Sequence, residues 1–99
     1  MPKTVILSAA RTLIGKLCGG LASVDATHLG ATAIQAALER ADVAPEQVQH
    51  VIMGQVIQAG QGQIPSRQAQ IKAGIPVEVS SETINKVCAS GIRAAGPEW

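Results

Sequence analysis

A chain of 99 residues with no Phe, no Tyr and a single Trp, at its last position, must build any core from aliphatic side chains alone. Aromatic rings ordinarily supply much of the buried area of a domain. Here Leu, Ile and Val number 6, 10 and 9, or 25 of 99 residues. That share stands above the roughly 20% below which charged chains tend to stay disordered, so the sequence is one that folds. Sixteen Ala and ten Gly suit close packing of helices on a sheet. A chain of this length is one small domain or a piece of a larger one, and it buries a low fraction of its surface. With its large core groups missing as well, it reads as a fragment.

Eight basic and seven acidic residues leave a net charge of +1 with no bunching, so there is no electrostatic footprint for nucleic acid. No run approaches the roughly 18 apolar residues of a membrane span. Met1-Pro2-Lys3 leads straight into Val5-Ile6-Leu7 rather than into a signal-peptide core, which predicts a soluble protein of the cytoplasm or a matrix, with no membrane partner. Cys18 and Cys88 lie far apart, without Cys-x-x-Cys or Cys/His ligand spacing. They read as free thiols, and neither a disulfide framework nor a metal site is expected.

Along the chain, Thr4 to Ser8 is a short apolar run of the kind found in buried strands. Residues 11–25 hold three glycines and no period, which reads as a long surface loop. From Ala26 to Ala41 the apolar positions Leu29, Ala33, Ile34, Ala37, Leu38 and Ala41 fall three or four apart behind Asp25, predicting a capped amphipathic helix. Val51 to Ile57 reads as a second strand, so strand, helix, strand points to a parallel crossover and an α/β fold. QAGQGQ at 58–63 reads as a polar connector. Pro65 opens a helix to about Ala73, with Gly74 and Pro76 closing it. A third strand is predicted at about Ser81 to Val87, and Cys88 to Ala95 has helical spacing until Pro97 stops it.

Two nucleotide-binding motifs fail on inspection. Gly15-Lys16 is followed by Leu17, with Ala10 where a P-loop has its first glycine; Gly60-x-Gly62 has Pro65 in place of the third glycine of a dinucleotide fingerprint. His28 and His50 have no partner at ligand spacing and read as ordinary surface or packing residues. Cys88 stands apart by its position at a strand-to-helix switch. A thiol at a helix N-terminus meets free backbone N–H groups and the positive end of the dipole, which favour thiolate. The same N–H groups can stabilise an oxyanion on a carbonyl that the thiolate attacks. From position alone, Cys88 reads equally well as a small buried apolar side chain. Lys86, two residues earlier, is given no catalytic role.

Residues 84–91, INKVCASG, resemble the nucleophile motif of the thiolases. The resemblance extends to VILSAARTLIG at 5–15 (with Leu13 where the family usually has Pro), VIMG at 51–54, QAGQGQ at 58–63, PSRQA at 65–69 and AGIP at 73–76, in family order. Together these cover nearly all of residues 4–95, and the likeness is greatest to the branch that condenses two acetyl-CoA. The resemblance implies ping-pong acyl transfer between coenzyme A thioesters: Cys88 takes the acyl group, then passes it to a second acetyl-CoA or, in reverse, to CoA. It implies no cofactor beyond the thioester substrates, and a homo-oligomeric whole protein. The family's activating histidine lies in a Gly-His-Pro segment and its second cysteine in a glycine-rich one; neither segment occurs here, so His28, His50 and Cys18 take no such roles.

Residues 1–99 are therefore expected to be the first part of a thiolase N-terminal domain, truncated, with 96–99 departing from the pattern, and inactive alone. Two rivals stand beside this reading. One is a non-catalytic fragment that keeps only a surface for association near the third strand. The other is a related condensing enzyme working on carrier-protein thioesters, against which ARTLIG, QAGQGQ and INKVCASG argue together.

Overall fold

The computed structural model describes residues 3–96. In chain order it contains helix α1 (Ala26–Ala41), strand β1 (His50–Gly54), helix α2 (Pro65–Lys72), strand β2 (Ser80–Ile84) and helix α3 (Ser90–Ala95). The predicted stop at Pro97 and the departing residues 97–99 lie outside the described residues. β1 and β2 pair in parallel, from His50 opposite Ser80 to Gly54 opposite Ile84, with α2 as the connection. The fold class is α/β, as the alternation of patterns implies.

The helices end where their sequences say they must. α1 closes with Asp42 in the left-handed conformation, φ 56°, while the Val43 N–H reaches back to the Leu38 carbonyl. Asp25 holds the N-cap position but makes no side-chain cap bond; its carboxylate lies 3.9 Å from Lys72 Nζ instead. α2 starts on Pro65 and ends with Gly74 at φ 88°, a conformation that costs glycine nothing. Beyond it, the buried Gln70 amide donates to the Val79 and Pro76 carbonyls, and Arg67 also donates to Val79 O. These bonds fold residues 74–79 back against α2 and deliver the chain to β2.

Small residues set the helix crossing. Ala31 on α1 and Ala69 on α2 are buried, and a Cβ placed on Gly30 would stand 3.2 Å from both Ala69 Cβ and Met53 Cε. Val51, Ile75 and Val79 form the buried core, with Ile34, Leu38, Val48 and Met53 packed on it. Ser66 N–H donates to Thr83 Oγ1, whose hydroxyl donates to Ser66 Oγ, tying the start of α2 to β2.

Four expectations about the elements need correction. Thr4–Ser8 is not a strand in the described structure. It makes no ladder, and it runs past α1 held by bonds from Ser8 Oγ to Ala37 O and from Arg40 to Ala9 O. A strand needs a neighbour as well as an apolar sequence. The parallel crossover is consequently β1–α2–β2, one unit later than predicted. β1 stops at Gly54 rather than Ile57, because Gly54 packs against the start of α3. β2 stops at Ile84 rather than Val87, because Val87 adopts φ 52° and leaves the extended region.

Val5, Ile6 and Leu7 are 68%, 89% and 69% exposed, and Leu13, Ile14 and Leu17 are 80%, 84% and 94% exposed. Two contiguous apolar stretches facing water, above a core of three buried branched side chains, predict a marginal fold for the isolated chain. The expected result is a broad thermal transition with binding of a dye selective for apolar surface. A sharp two-state melt of a soluble monomer is the contrary result.

Candidate active site

The candidate site is the tight turn that joins β2 to α3. Ile84 and Gly54 are register partners at the carboxyl ends of the two parallel strands, and the Gln55 N–H still reaches Ile84 O. The edge beyond the carboxyl ends of parallel strands is where open α/β sheets bind ligands. Residues 85–89 turn over this edge and enter α3 at Ser90.

Each side chain of the turn that bonds does so to backbone. Asn85 Oδ1 accepts from the Val87 N–H at 2.9 Å, and Asn85 Nδ2 donates to Val56 O at 2.8 Å. Ser90 Oγ accepts from the Lys86 N–H at 2.8 Å and donates to Val87 O at 2.7 Å. The Ala89 and Ser90 N–H groups donate to Lys86 O and Val87 O. Between these anchors Val87 takes the left-handed conformation. For a β-branched residue this costs on the order of 1–3 kcal/mol and persists only where neighbouring contacts over-determine it.

The strained residue immediately precedes Cys88. The Val87–Cys88 peptide is trans and planar, so aiming its carbonyl at Ser90 turns the Cys88 N–H the opposite way, out of the turn. The carbonyls of Lys86 and Val87 are both taken up by donors on the inner side. Cys88 itself is exposed, which removes its reading as a buried apolar side chain. Its placement at the head of a helix also needs adjustment: Ala89 holds the N-cap position, and α3 has only six residues. The turn, more than the helix, defines the thiol's surroundings.

Ser90 is 4% exposed, and a Cβ built on Gly54 would come within 2.6–2.8 Å of Ser90 main-chain and side-chain atoms. Only glycine lets the end of β1 approach the start of α3 this closely. The QAGQGQ connector is also held: Gln68 Nε2 donates to Gln61 O at 2.6 Å and to Gln63 O at 3.0 Å, with Gly60 and Gly62 at positive φ.

The remaining candidates lie elsewhere. Cys18 is exposed in the 17–24 turn region, itself at φ 58°. His28 is exposed on α1. His50 begins β1, four residues from Gly54 and so roughly 13 Å down the sheet at about 3.3 Å per residue; its Nδ1 meets Ser80 Oγ at 2.6 Å and its Nε2 meets Glu82 Oε1 at 3.3 Å. A concavity of about 640 Å³ lined by Gln47, Gln49, His50 and Ile52 opens at that same far end. Among the described residues no group of His, Cys, Asp and Glu is arranged to hold a metal ion, and no helix is long and apolar enough to cross a membrane.

The position of Cys88 shows in the sequence, whereas most of what surrounds it shows only in the structure. An Asn two residues ahead of an N–H acceptor pairing is the pattern of an Asx turn, and that signal was available at Asn85-Lys86-Val87. The Gly54–Ser90 contact had no local signal, since it joins residues 36 apart in the chain.

Residues 4–96 match the family model of the thiolase N-terminal domain. The chain belongs to the thiolase family. It is 62% identical over 94 residues to an acetyl-CoA acetyltransferase of Cupriavidus necator, covering 95% of this chain and 24% of that protein. An acetyl-CoA acetyltransferase of Chromobacterium violaceum is 54% identical over 92 residues, covering 93% of this chain and 24% of its own length. The mitochondrial acetyl-CoA acetyltransferase of Mus musculus is 53% identical over 92 residues, covering 93% and 22%. The chain thus spans about a quarter of the length of the curated relatives it matches.

Proposed function

We propose that Cys88 is the acyl-accepting nucleophile of an acetyl-CoA acetyltransferase, and that the 99-residue chain supplies this nucleophile without completing the catalytic cycle. The observation that carries the reading is the exposed Cys88 on a braced turn at the carboxyl ends of β1 and β2. The relatives named acetyl-CoA acetyltransferase support the choice of substrate. In the first half-reaction the Cys88 thiolate attacks the thioester carbonyl of acetyl-CoA. The carbon–sulfur bond to CoA then breaks, CoA leaves as a thiolate and takes a proton, and the acetyl group stays on Sγ. The outward Cys88 N–H supports this step as a donor to the oxyanion. In the second half-reaction a base removes a methyl proton from another acetyl-CoA, the carbanion attacks the acyl carbonyl, and acetoacetyl-CoA departs as Cys88 leaves as thiolate. The acyl group travels only on Cys88 and CoA, so the chemistry calls for no further cofactor.

Competition between the two thiols tests the assignment. Alkylation with a limiting neutral reagent followed by peptide mapping is expected to label Cys88 ahead of Cys18 in folded chain, with the difference vanishing in denaturant. Both thiols are exposed, so access does not separate them. Faster labelling of Cys18 in folded material is the result that removes Cys88 from this role.

A second reading, a non-catalytic chain that retains only a surface for association, draws on the apolar stretches at 5–7 and 13–17. It is favoured if neither thiol is distinguished.

A further inference from the structure

The bonds at the elbow surround one residue, Val87, and do so from both sides. Its N–H is held by Asn85 Oδ1, and its carbonyl accepts from Ser90 Oγ at 2.7 Å beside the longer 3.2 Å bond from the Ser90 N–H. Each clamp is fixed elsewhere: Asn85 through Nδ2 to Val56 O after β1, and Ser90 by burial against Gly54 and by the Lys86 N–H. Two polar side chains therefore converge on a single exposed valine at φ 52°.

We propose that Asn85 and Ser90 are positioning residues that hold Val87 in its left-handed conformation and thereby fix the direction of Cys88. This rests on the assignment of Cys88 as nucleophile. Without the clamps, valine returns to the extended or right-handed region that its branched side chain favours. The Val87–Cys88 peptide then rotates. Its carbonyl leaves Ser90, the Cys88 N–H leaves the outer face, and the thiol loses its setting. Glycine at position 87 would make the clamps dispensable, since it occupies positive φ without strain.

That reversal is the test. The ratio of Cys88 to Cys18 alkylation rates is measured for the 99-residue chain and for Asn85→Ala, Ser90→Ala, Val87→Gly and the two double variants that combine an alanine with Val87→Gly. Cys18 serves as the internal standard, and circular dichroism follows the fold. Asn85→Ala is expected to lower the ratio about tenfold, the factor that corresponds to losing one hydrogen bond's bias toward the native conformer. Ser90→Ala is expected to lower it in the same direction. Val87→Gly alone keeps the ratio of the parent, and adding it to either alanine variant restores that ratio. The proposal is overturned if the alanine variants keep the parent ratio, or if Val87→Gly fails to restore it. Loss of fold in both alanine variants that Val87→Gly does not repair also overturns it, because a clamp acting through Val87 is not needed once glycine stands there. A parent ratio at or below one instead removes the nucleophile assignment, whatever the variants do.

Discussion

The purified 99-residue chain is expected to give no measurable thiolysis of acetoacetyl-CoA. The chemistry proposed at Cys88 needs a base twice, to form the thiolate and to take the methyl proton. Of the two histidines in the sequence, His28 lies on α1 and His50 meets Ser80 and Glu82 at the far end of the sheet. Loss of a general base alone costs about 100- to 10,000-fold, before any cost of binding CoA on an open surface is counted. Steady-state thiolysis followed by the loss of acetoacetyl-CoA absorbance checks this. Robust turnover that survives repurification, and disappears in Cys88→Ser, would show that the chain carries a base that this account does not identify.

The elements whose sequence and surroundings agree were legible without coordinates. α1 spans Ala26–Ala41 as its period requires, and α2 runs from Pro65 to the left-handed Gly74 that ends it. Both depend on bonds within a few residues of each other. Thr4–Ser8 failed for the opposite reason, since its apolar run forms a strand only beside a partner, and no ladder forms there among the described residues. The ends of β1 and β2 failed because contacts distant in sequence decide them. Gly54 stops where it meets Ser90, and Ile84 is the last strand residue because Asn85 turns its side chain onto the next backbone N–H but one. The candidate site was legible as a residue, Cys88, and illegible as an environment. Chemistry-bearing residue types show in a sequence, whereas the conformation of a valine beside them does not.

The most direct measurement of the central assignment looks at the acyl group itself. The first half-reaction needs a base only to form the thiolate, a proton that buffer can take at neutral pH, so it remains open, slowly, to a chain that cannot complete the cycle. The chain is incubated with excess acetyl-CoA at neutral pH, quenched in acid, digested and mapped by mass spectrometry. Acetyl is expected on the Cys88 peptide well ahead of the Cys18 peptide, removed by neutral hydroxylamine as a thioester is, and lost from that peptide in Cys88→Ser. Acetyl on Cys18 to an equal or greater extent in the folded chain would contradict the assignment.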